Sequence, residues 1–335
     1  MLDNKSILVT GGTGSFGKRF IKTVLERYEP ERLIVFSRDE LKQFEMRDNY
    51  NSSCMRYFLG DIRDYDRINM ALERVDVVIH AAALKQVPAL EYNPMEAVKT
   101  NILGTENVLR AALNNNVEKV ICLSTDKAAS PINLYGATKL AADKLAVASN
   151  NIHGIRKTRF SVVRYGNVIG SRGSVIPFFQ NIVAKGGGSI PITDGRMTRF
   201  LITLQHGVDF VLSCLEKMKG GEIFVPKIPS ATIETIAKAV APNLEHDIVG
   251  MRAGEKLHEV MCPADLSYQT LEFESYFLIK PSSELMKKID YSYNSLGEEG
   301  KYVREGFEYN SLINEHYLND RELATMINDA MPFDG

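Results

Sequence analysis

The stretch Leu123 to Lys139, LSTDKAASPINLYGATK, holds two sets of side chains suited to moving protons. Tyr135 and Lys139 stand four residues apart, the spacing that stacks two side chains on one helix face. An unperturbed tyrosine titrates near ~10 and is a poor base at neutral pH. A lysine ammonium one turn away favours the phenolate, which makes Tyr135 a base for a hydroxyl group. Thr125 can hydrogen-bond the same hydroxyl. Asp126 and Lys127 form the second set, an acid directly followed by a base. Lys127 must be neutral to accept a proton, and an unperturbed lysine titrates near ~10.4. Burial and nearby cations such as Lys139 are expected to lower it. Asp126 must be protonated to act as an acid, which desolvation or a shared proton provides. The bland alternative is a loop ion pair. Oxidising an alcohol needs one proton-transferring group, so the second set raises the question of what further chemistry the segment serves.

The flanking segments show what must hold these groups. SILVTG (6–11), RLIVFS (32–37), MRYFLGD (55–61), DVVIHAAA (76–83), KVICLST (119–125) and RFSVVRYG (159–166) are short and apolar nearly throughout. That pattern predicts parallel strands covered on both faces. GSFGKRFIKTVLERY has Phe16, Phe20, Ile21 and Val24 at helical spacing, and a long helix is expected over 94–114. Alternating units of this kind predict an α/β fold with a Rossmann-type doubly wound parallel sheet. Beyond Gly166 the pattern breaks around Gly170, Gly173 and Gly186-Gly187-Gly188. Helices are expected over 176–185 and 201–218, and a C-terminal one in NDRELATMINDAM, capped by Asn319 or Asp320. The predicted division is a dinucleotide-binding domain over 1–166 plus about 198–220. A smaller, discontinuous α/β substrate-binding lobe takes about 167–197 and 221–335. The 282–315 stretch suggests no function.

TGGTGSFG follows the first strand and opens a helix, the context in which Gly11, Gly14 and Gly17 let backbone approach a pyrophosphate. Thr13, Ser15 and Phe16 fill the same loop. At the end of the second strand Ser37-Arg38 replaces the carboxylate usual for NAD. A hydroxyl beside a guanidinium, with Lys42 a turn further on, suits a 2′-phosphate, so NADP is expected over NAD. Asp39 could cap the next helix or reach a ribose. Asp61 could accept from an adenine amino group with Ile62 against the ring, or serve as a turn residue. The small residues around Ala81 leave room for the cofactor.

The formal net charge of -2 argues against nucleic acid or an anionic membrane as partner. Cys54, Cys122, Cys214 and Cys262 form no CxxC pair and are expected to be reduced and mostly buried. Met1-Leu2-Asp3-Asn4-Lys5 runs straight into a strand without a signal-peptide pattern, and no apolar run is long enough to span a bilayer, so a cytoplasmic location is expected. His80 is expected to be a satisfied core histidine, and His258, on an expected helix, a structural one. No metal is expected, because histidines and carboxylates are not at ligand spacing.

GGTGSFG, SRDE, GDIRD, HAAALKQVP, KTNILGTENV, LSTDKA, NLYGATK, RYGNVIGSRGSVIP, PITDGRMTRF and RAGEKLHE together resemble the extended short-chain dehydrogenase/reductases. Within that family they are most similar to the inverting nucleotide-sugar 4,6-dehydratases. The similarity runs from Asp3 to about Tyr276. It implies that Tyr135 works at the sugar C4, while Lys127 takes the C5 hydrogen and Asp126 protonates the departing 6-hydroxyl. Retaining members usually carry Asp-Glu where this chain has Asp126-Lys127. The resemblance further implies NADP, a UDP-sugar substrate and a homo-oligomer, hexamers being common in the family. It places Val168 by the cofactor and Lys85 near both ligands. Asn167, Arg199 and Arg252 would face the diphosphate, Val175 and Thr193 the uracil, and Glu255 its ribose. The competing readings are a C4-epimerase, a retaining dehydratase and a non-catalytic NADP sensor.

Overall fold

The computed structural model describes residues 1–152, 158–171, 173–282 and 289–330 of the chain. Arg172 of the RYGNVIGSRGSVIP stretch, residues 283–288 of the 282–315 stretch and Met331 of the C-terminal helical stretch lie outside the described residues.

Six strands form the parallel heart of the sheet: β1 (Ser6–Thr10), β2 (Arg32–Ser37), β3 (Met55–Leu59), β4 (Val77–His80), β5 (Lys119–Thr125) and β6 (Arg159–Tyr165). They lie in the order β3-β2-β1-β4-β5-β6 and pair in parallel throughout. The order reverses between β1 and β4, so their carboxyl ends splay apart and open a crevice. Every residue of β1 and β4 is buried, because helices cover both faces and leave no solvent side for a polar residue. Where one polar pair does enter, it is satisfied. Thr10 and His80 are register partners, and their side chains hydrogen-bond at 2.8 Å. His80 also meets Thr105 at 3.0 Å, and burial pushes its imidazole down to about 3, so it is a neutral core residue.

The sheet continues past β6 to ten strands. Ile223–Pro226 pairs in parallel with β6, and Tyr276–Ile279, Thr270–Glu272 and Lys301–Tyr302 follow antiparallel. The expected division assigned everything from 221 onward to the smaller lobe. These four strands instead join the central sheet, and Leu271, Phe277, Leu278 and Ile279 share its core. A second core lies apart, built from Ile169, Ile176, Phe179, Ile190, Ile192, Met197, Leu201, Ile233, Ile236, Leu323 and Ile327. Helices Val175–Ala184, Ile233–Val240 and Asp320–Ala330 supply most of it. Asn319 caps the last helix, taking the Glu322 N–H at 2.9 Å while Glu322 takes the Asn319 N–H at 2.9 Å.

Two helices depart from expectation. Leu201 and Ile202 belong to the strand Thr198–Ile202, and the helix begins only at Leu204, with the Thr203 hydroxyl taking the His206 N–H. The long helix over 94–114 contains a π-helical stretch, Val98–Leu103. That wider turn carries Asn101, whose side chain brackets Leu84, accepting from its N–H at 2.8 Å and donating to its carbonyl at 2.9 Å. Leu84 immediately precedes Lys85 at the crevice.

Beneath the crevice lies a buried ion pair. Arg164 of β6 reaches Asp143 of helix Leu134–Ser149 at 3.1 Å and donates to the Met261 carbonyl at 2.9 Å. Ser124 of β5 donates to the same carboxylate at 2.9 Å. Asp143→Ala strands a buried guanidinium and should cost about 3–5 kcal/mol. A urea-unfolding curve should show this as a large fall in midpoint, and Asp143→Asn should lose less because it keeps an acceptor.

Candidate active site

The carboxyl ends of the parallel strands wall a cleft of about 970 Å³. Every residue singled out for the cofactor lines it: Gly11, Thr13, Gly14, Ser15, Phe16, Gly17, Ser37, Arg38, Asp39, Lys42, Asp61, Ile62, Ala81, Lys85, Tyr135, Lys139 and Val168. Thr125, Asp126, Lys127 and Asn167 line the same cleft. Val175, Thr193, Arg199, Arg252 and Glu255 are not in its wall. The Thr193 hydroxyl lies 3.1 Å from the Met197 sulfur, Val175 starts a helix, and Glu255 accepts the Arg252 N–H at 3.0 Å. Arg199 is buried and donates to the carbonyls of Thr198 and Leu257.

The glycine loop packs so closely on the chain's own backbone that side chains would not fit at two of its glycines. Gly11 has φ +64°, and a Cβ there would come within 2.9 Å of the Ala82 nitrogen. A Cβ on Gly17 would lie 2.4 Å from the Gly12 carbonyl oxygen. Gly14 caps helix Ser15–Arg27 with no side chain on its first N–H groups, which leaves them for an anion in the cleft. At the far wall Asp39 caps its helix, taking the Lys42 N–H at 3.0 Å, and its carboxylate also pairs with the Lys42 ammonium. Asp61 takes Arg63 at 2.7 Å and Arg38 at 3.4 Å. Burial pulls Asp61 up, but these arginines outweigh it and hold it below the ordinary carboxylate range.

Tyr135 and Lys139 stand on helix Leu134–Ser149, whose cap Asn133 accepts the Gly136 N–H at 2.8 Å. Lys139 is buried and donates to the Leu123 carbonyl at 2.7 Å. Burial lowers its pKa, against Asp143. Asp126 and Lys127 sit in a single helical turn, Asp126–Ala128, at the end of β5. The Thr125 hydroxyl donates to Asp126 Oδ1 at 2.9 Å, so in this state it serves the acid. Lys127 Nζ lies 3.1 Å from Asp126 Oδ1, 3.4 Å from Glu259 and 3.5 Å from Asn167 Oδ1.

Two electrostatic expectations need correction. Desolvation does push Lys127 down, as expected. Attraction to Asp126 and Glu259 outweighs it, and the lysine is raised, so in this state it is an ammonium. Tyr135 is not brought down either: burial lifts the phenol to about 12, against the charge of Lys127. Asp126 follows expectation. Burial raises it, Lys127 opposes and Glu259 adds to the rise, which favours the protonated acid.

Glu259 is the residue that sequence reasoning missed. It closes the RAGEKLHE stretch and is buried at 2 % exposure, yet carried no assignment. No local pattern marks it, because its partner Lys127 stands far away in the sequence. That stretch is stitched to the catalytic turn. Asn133 donates to the Gly254 carbonyl at 2.8 Å, and Lys256 to that of Ala129 at 2.7 Å. The segment forms no helix, so the helix expected under His258 is absent. His258 instead hydrogen-bonds Thr198 at 2.9 Å. Among the described residues no cluster of metal-ligating side chains occurs. No described helix is long and apolar enough to cross a membrane.

The glycine loop at the strand-order reversal and the Tyr-Lys helix beside it define an extended short-chain dehydrogenase/reductase. Comparison narrows the family. Residues 7–281 match the family model described as "Polysaccharide biosynthesis protein", and the chain belongs to that family. It is 58% identical over 334 residues to the inverting UDP-N-acetylglucosamine 4,6-dehydratase of Campylobacter jejuni subsp. jejuni serotype O:23/36 (strain 81-176), covering 99% of this chain and 100% of the relative. It is 45% identical to the UDP-glucose 4-epimerase of Rickettsia rickettsii (strain Sheila Smith), over 83% of this chain and 84% of that one. Among solved structures it superposes on Pen from Bacillus thuringiensis with a TM-score of 0.89, at 36% identity and 98% coverage of both chains.

The tightest fit in the site is at Gly136, where a Cβ would stand 2.1 Å from the Lys127 carbonyl oxygen. Gly136→Ala must push the Asp126–Ala128 turn away from the helix, at about 1–3 kcal/mol. Thermal unfolding should register the loss, and amide exchange should rise first in residues 125–136.

Proposed function

We propose that this chain is an NADP-dependent UDP-N-acetylglucosamine 4,6-dehydratase that inverts C5, giving UDP-2-acetamido-2,6-dideoxy-β-L-arabino-hex-4-ulose. The observation that carries this reading is the placement of two proton-transferring sets in one cleft. Tyr135 and Lys139 are on one side, and a buried Asp126 with Lys127 on the other. A C4-epimerase needs only the first set, and a bare sensor needs neither. The dehydratase relative matches over the whole chain at higher identity than the epimerase relative, which supports the same choice.

The glycine loop would hold the cofactor pyrophosphate, and Ser37, Arg38 and Lys42 the 2′-phosphate. A nicotinamide held there would supply hydride acceptance from C4 of the sugar and hydride return to C6. Tyr135, once it has shed its own proton, accepts that of the 4-hydroxyl, with Lys139 one turn along the same helix. The 4-ketone acidifies the C5 hydrogen, which Lys127 removes once it has shed its own proton. Asp126 donates to the departing 6-hydroxyl, and water leaves. Solvent then delivers a proton to C5 on the opposite face, Lys127 passes the proton it took to Asp126, and Tyr135 releases its own to solvent, which resets the site. Arg199, Arg252, Asn167 and Lys85 are proposed for the diphosphate, Val175 and Thr193 for the uracil, and Glu255 for its ribose. A homo-oligomer and a cytoplasmic setting belong to the same reading.

Proton NMR in D₂O with UDP-N-acetylglucosamine and NADP⁺ tests the whole proposal. A new C6 methyl signal, deuterium at C5 and couplings of the inverted ring are expected. An unchanged hexose or a C4 epimer alone would refute it. Lys127→Ala should abolish C5 exchange and lower turnover by about 10²-fold or more, with NADP affinity within about twofold. Cofactor choice has a separate test. Arg38→Ala should weaken NADP binding about tenfold, the loss of one charge-assisted contact of ~1.4 kcal/mol, and leave NAD binding unchanged. An equal effect on both would favour NAD.

A further inference from the structure

Two buried carboxylates face one lysine, and they differ in what surrounds them. Asp126 Oδ1 receives the Thr125 hydroxyl and Lys127, while Asp126 Oδ2 is buried without any hydrogen-bond partner. A bare ionised oxygen in such a place is costly, whereas a protonated one is not. Glu259 Oε2 is likewise buried without a hydrogen-bond partner, but two ammonium groups face this carboxylate, Lys127 at 3.4 Å on one oxygen and Lys256 at 3.8 Å on the other. The charge of Arg199 also reaches it. Cations from three separate segments thus converge on Glu259, and only Lys127 pairs with Asp126.

We propose that Glu259 is a positioning residue of this site, the resting counter-ion of Lys127, and that its charge is what leaves Asp126 standing as a neutral acid beside the lysine. The proposal rests on the dehydratase reading for its purpose, since a leaving hydroxyl needs a proton donor. Asp126, Lys127 and Glu259 are then a neutral acid, an ammonium and a carboxylate, with Lys256 and Arg199 adding positive charge on the Glu259 side. Without Glu259, Asp126, already 3.1 Å from Lys127, is left among the described residues as the one carboxylate paired with that lysine, and gives up its proton to satisfy it. Acid and base would then neutralise each other before substrate arrives. The groups facing the cluster are Tyr135 and Lys85 across the cleft, with Arg199, Lys256 and Arg164 behind it. Their directions agree: Glu259 lies below the ordinary range, because Lys127, Arg199 and Lys256 outweigh its burial, and Asp126 lies above it. This arrangement explains why the RAGEKLHE stretch is tied to the catalytic turn at Gly254 and Lys256 as well as at Glu259.

The test is infrared difference spectroscopy of the ligand-free full chain at neutral pH, read in the carbonyl-stretch region of protonated carboxyls. Asp126→Asn assigns the Asp126 band, which is necessary because buried Glu222 is also raised and contributes its own. The expected result is that Glu259→Gln removes the Asp126 band and Glu259→Asp retains it. With UDP-N-acetylglucosamine, Glu259→Gln should lower kcat about tenfold or more, the scale of losing a general acid, at a KM within about twofold. Glu259→Asp should recover part of that loss. An Asp126 band that persists in Glu259→Gln, or is absent from the unsubstituted protein, overturns the proposal. The spectra need no substrate, so a protein that leaves UDP-N-acetylglucosamine unchanged would refute the functional reading while the Asp126 band still reports on Glu259.

Discussion

The segment that carries Asp126, Lys127, Tyr135 and Lys139 depends on one buried guanidinium. Arg164 is 1 % exposed and sits under the point where β5, β6, the Tyr135 helix and the strand Val260–Cys262 converge. Its bonds to Asp143 and the Met261 carbonyl tie the helix that carries Lys139 to the strand that follows Glu259. A buried charge keeps its place only if its partners keep theirs, since the loss of any one leaves an uncompensated group. Arg164 thus links three segments directly, and Asp143 brings in the fourth by accepting from Ser124 of β5. The distances among Tyr135, Lys127 and Glu259 follow from these links. Hydrophobic burial alone would permit small slips between such elements, because it is non-directional.

The same burial acts on the reactive groups in opposite senses. It raises Tyr135 and Asp126, lowers Lys139, and would lower Lys127 but for two carboxylates beside it. A low dielectric disfavours charge of either sign, so a group's resting state depends on which partners survive in the cleft. Lys139 has the Leu123 carbonyl within hydrogen-bond reach, and Lys127 has two acids. That asymmetry makes two lysines of one segment electrostatically unlike. Lys127 is also the more open of the acid–base pair, its side chain 25% exposed while that of Asp126 is at 1%.

Much of this was legible in the chain because local rules and the global fold agree. The apolar runs became β1 to β6, since a doubly covered parallel sheet tolerates little else. The glycine loop fell where strand meets helix, and Tyr135 and Lys139 share a face by helical spacing alone. What escaped depended on long-range placement. Leu201 and Ile202 have helical neighbours in sequence, but Thr203 is a better cap than a helix interior residue, and the strand ahead of it pairs with Ser230–Thr232. The strands at 270–279 join the main sheet through pairing with a segment some fifty residues earlier, and no local pattern encodes that choice. Glu259 was illegible for the same reason. Its meaning comes from Lys127, 132 positions away by their numbering.

The lobe and the nucleotide-binding half are usually thought of as contributing separate functions, recognition and chemistry. Here the RAGEKLHE stretch joins them. Its first residue, Arg252, is proposed for the diphosphate, and its last, Glu259, touches the catalytic lysine. Between them Gly254 and Lys256 are fastened to Asn133 and Ala129 on either side of the catalytic turn. Gly254, at φ +82°, lets the backbone turn there, and a side chain would press on Asn133. Two hydrogen bonds and the Lys127–Glu259 ion pair thus fix the stretch around the Asp126–Ala128 turn, by directional contacts that set a register where non-directional burial does not.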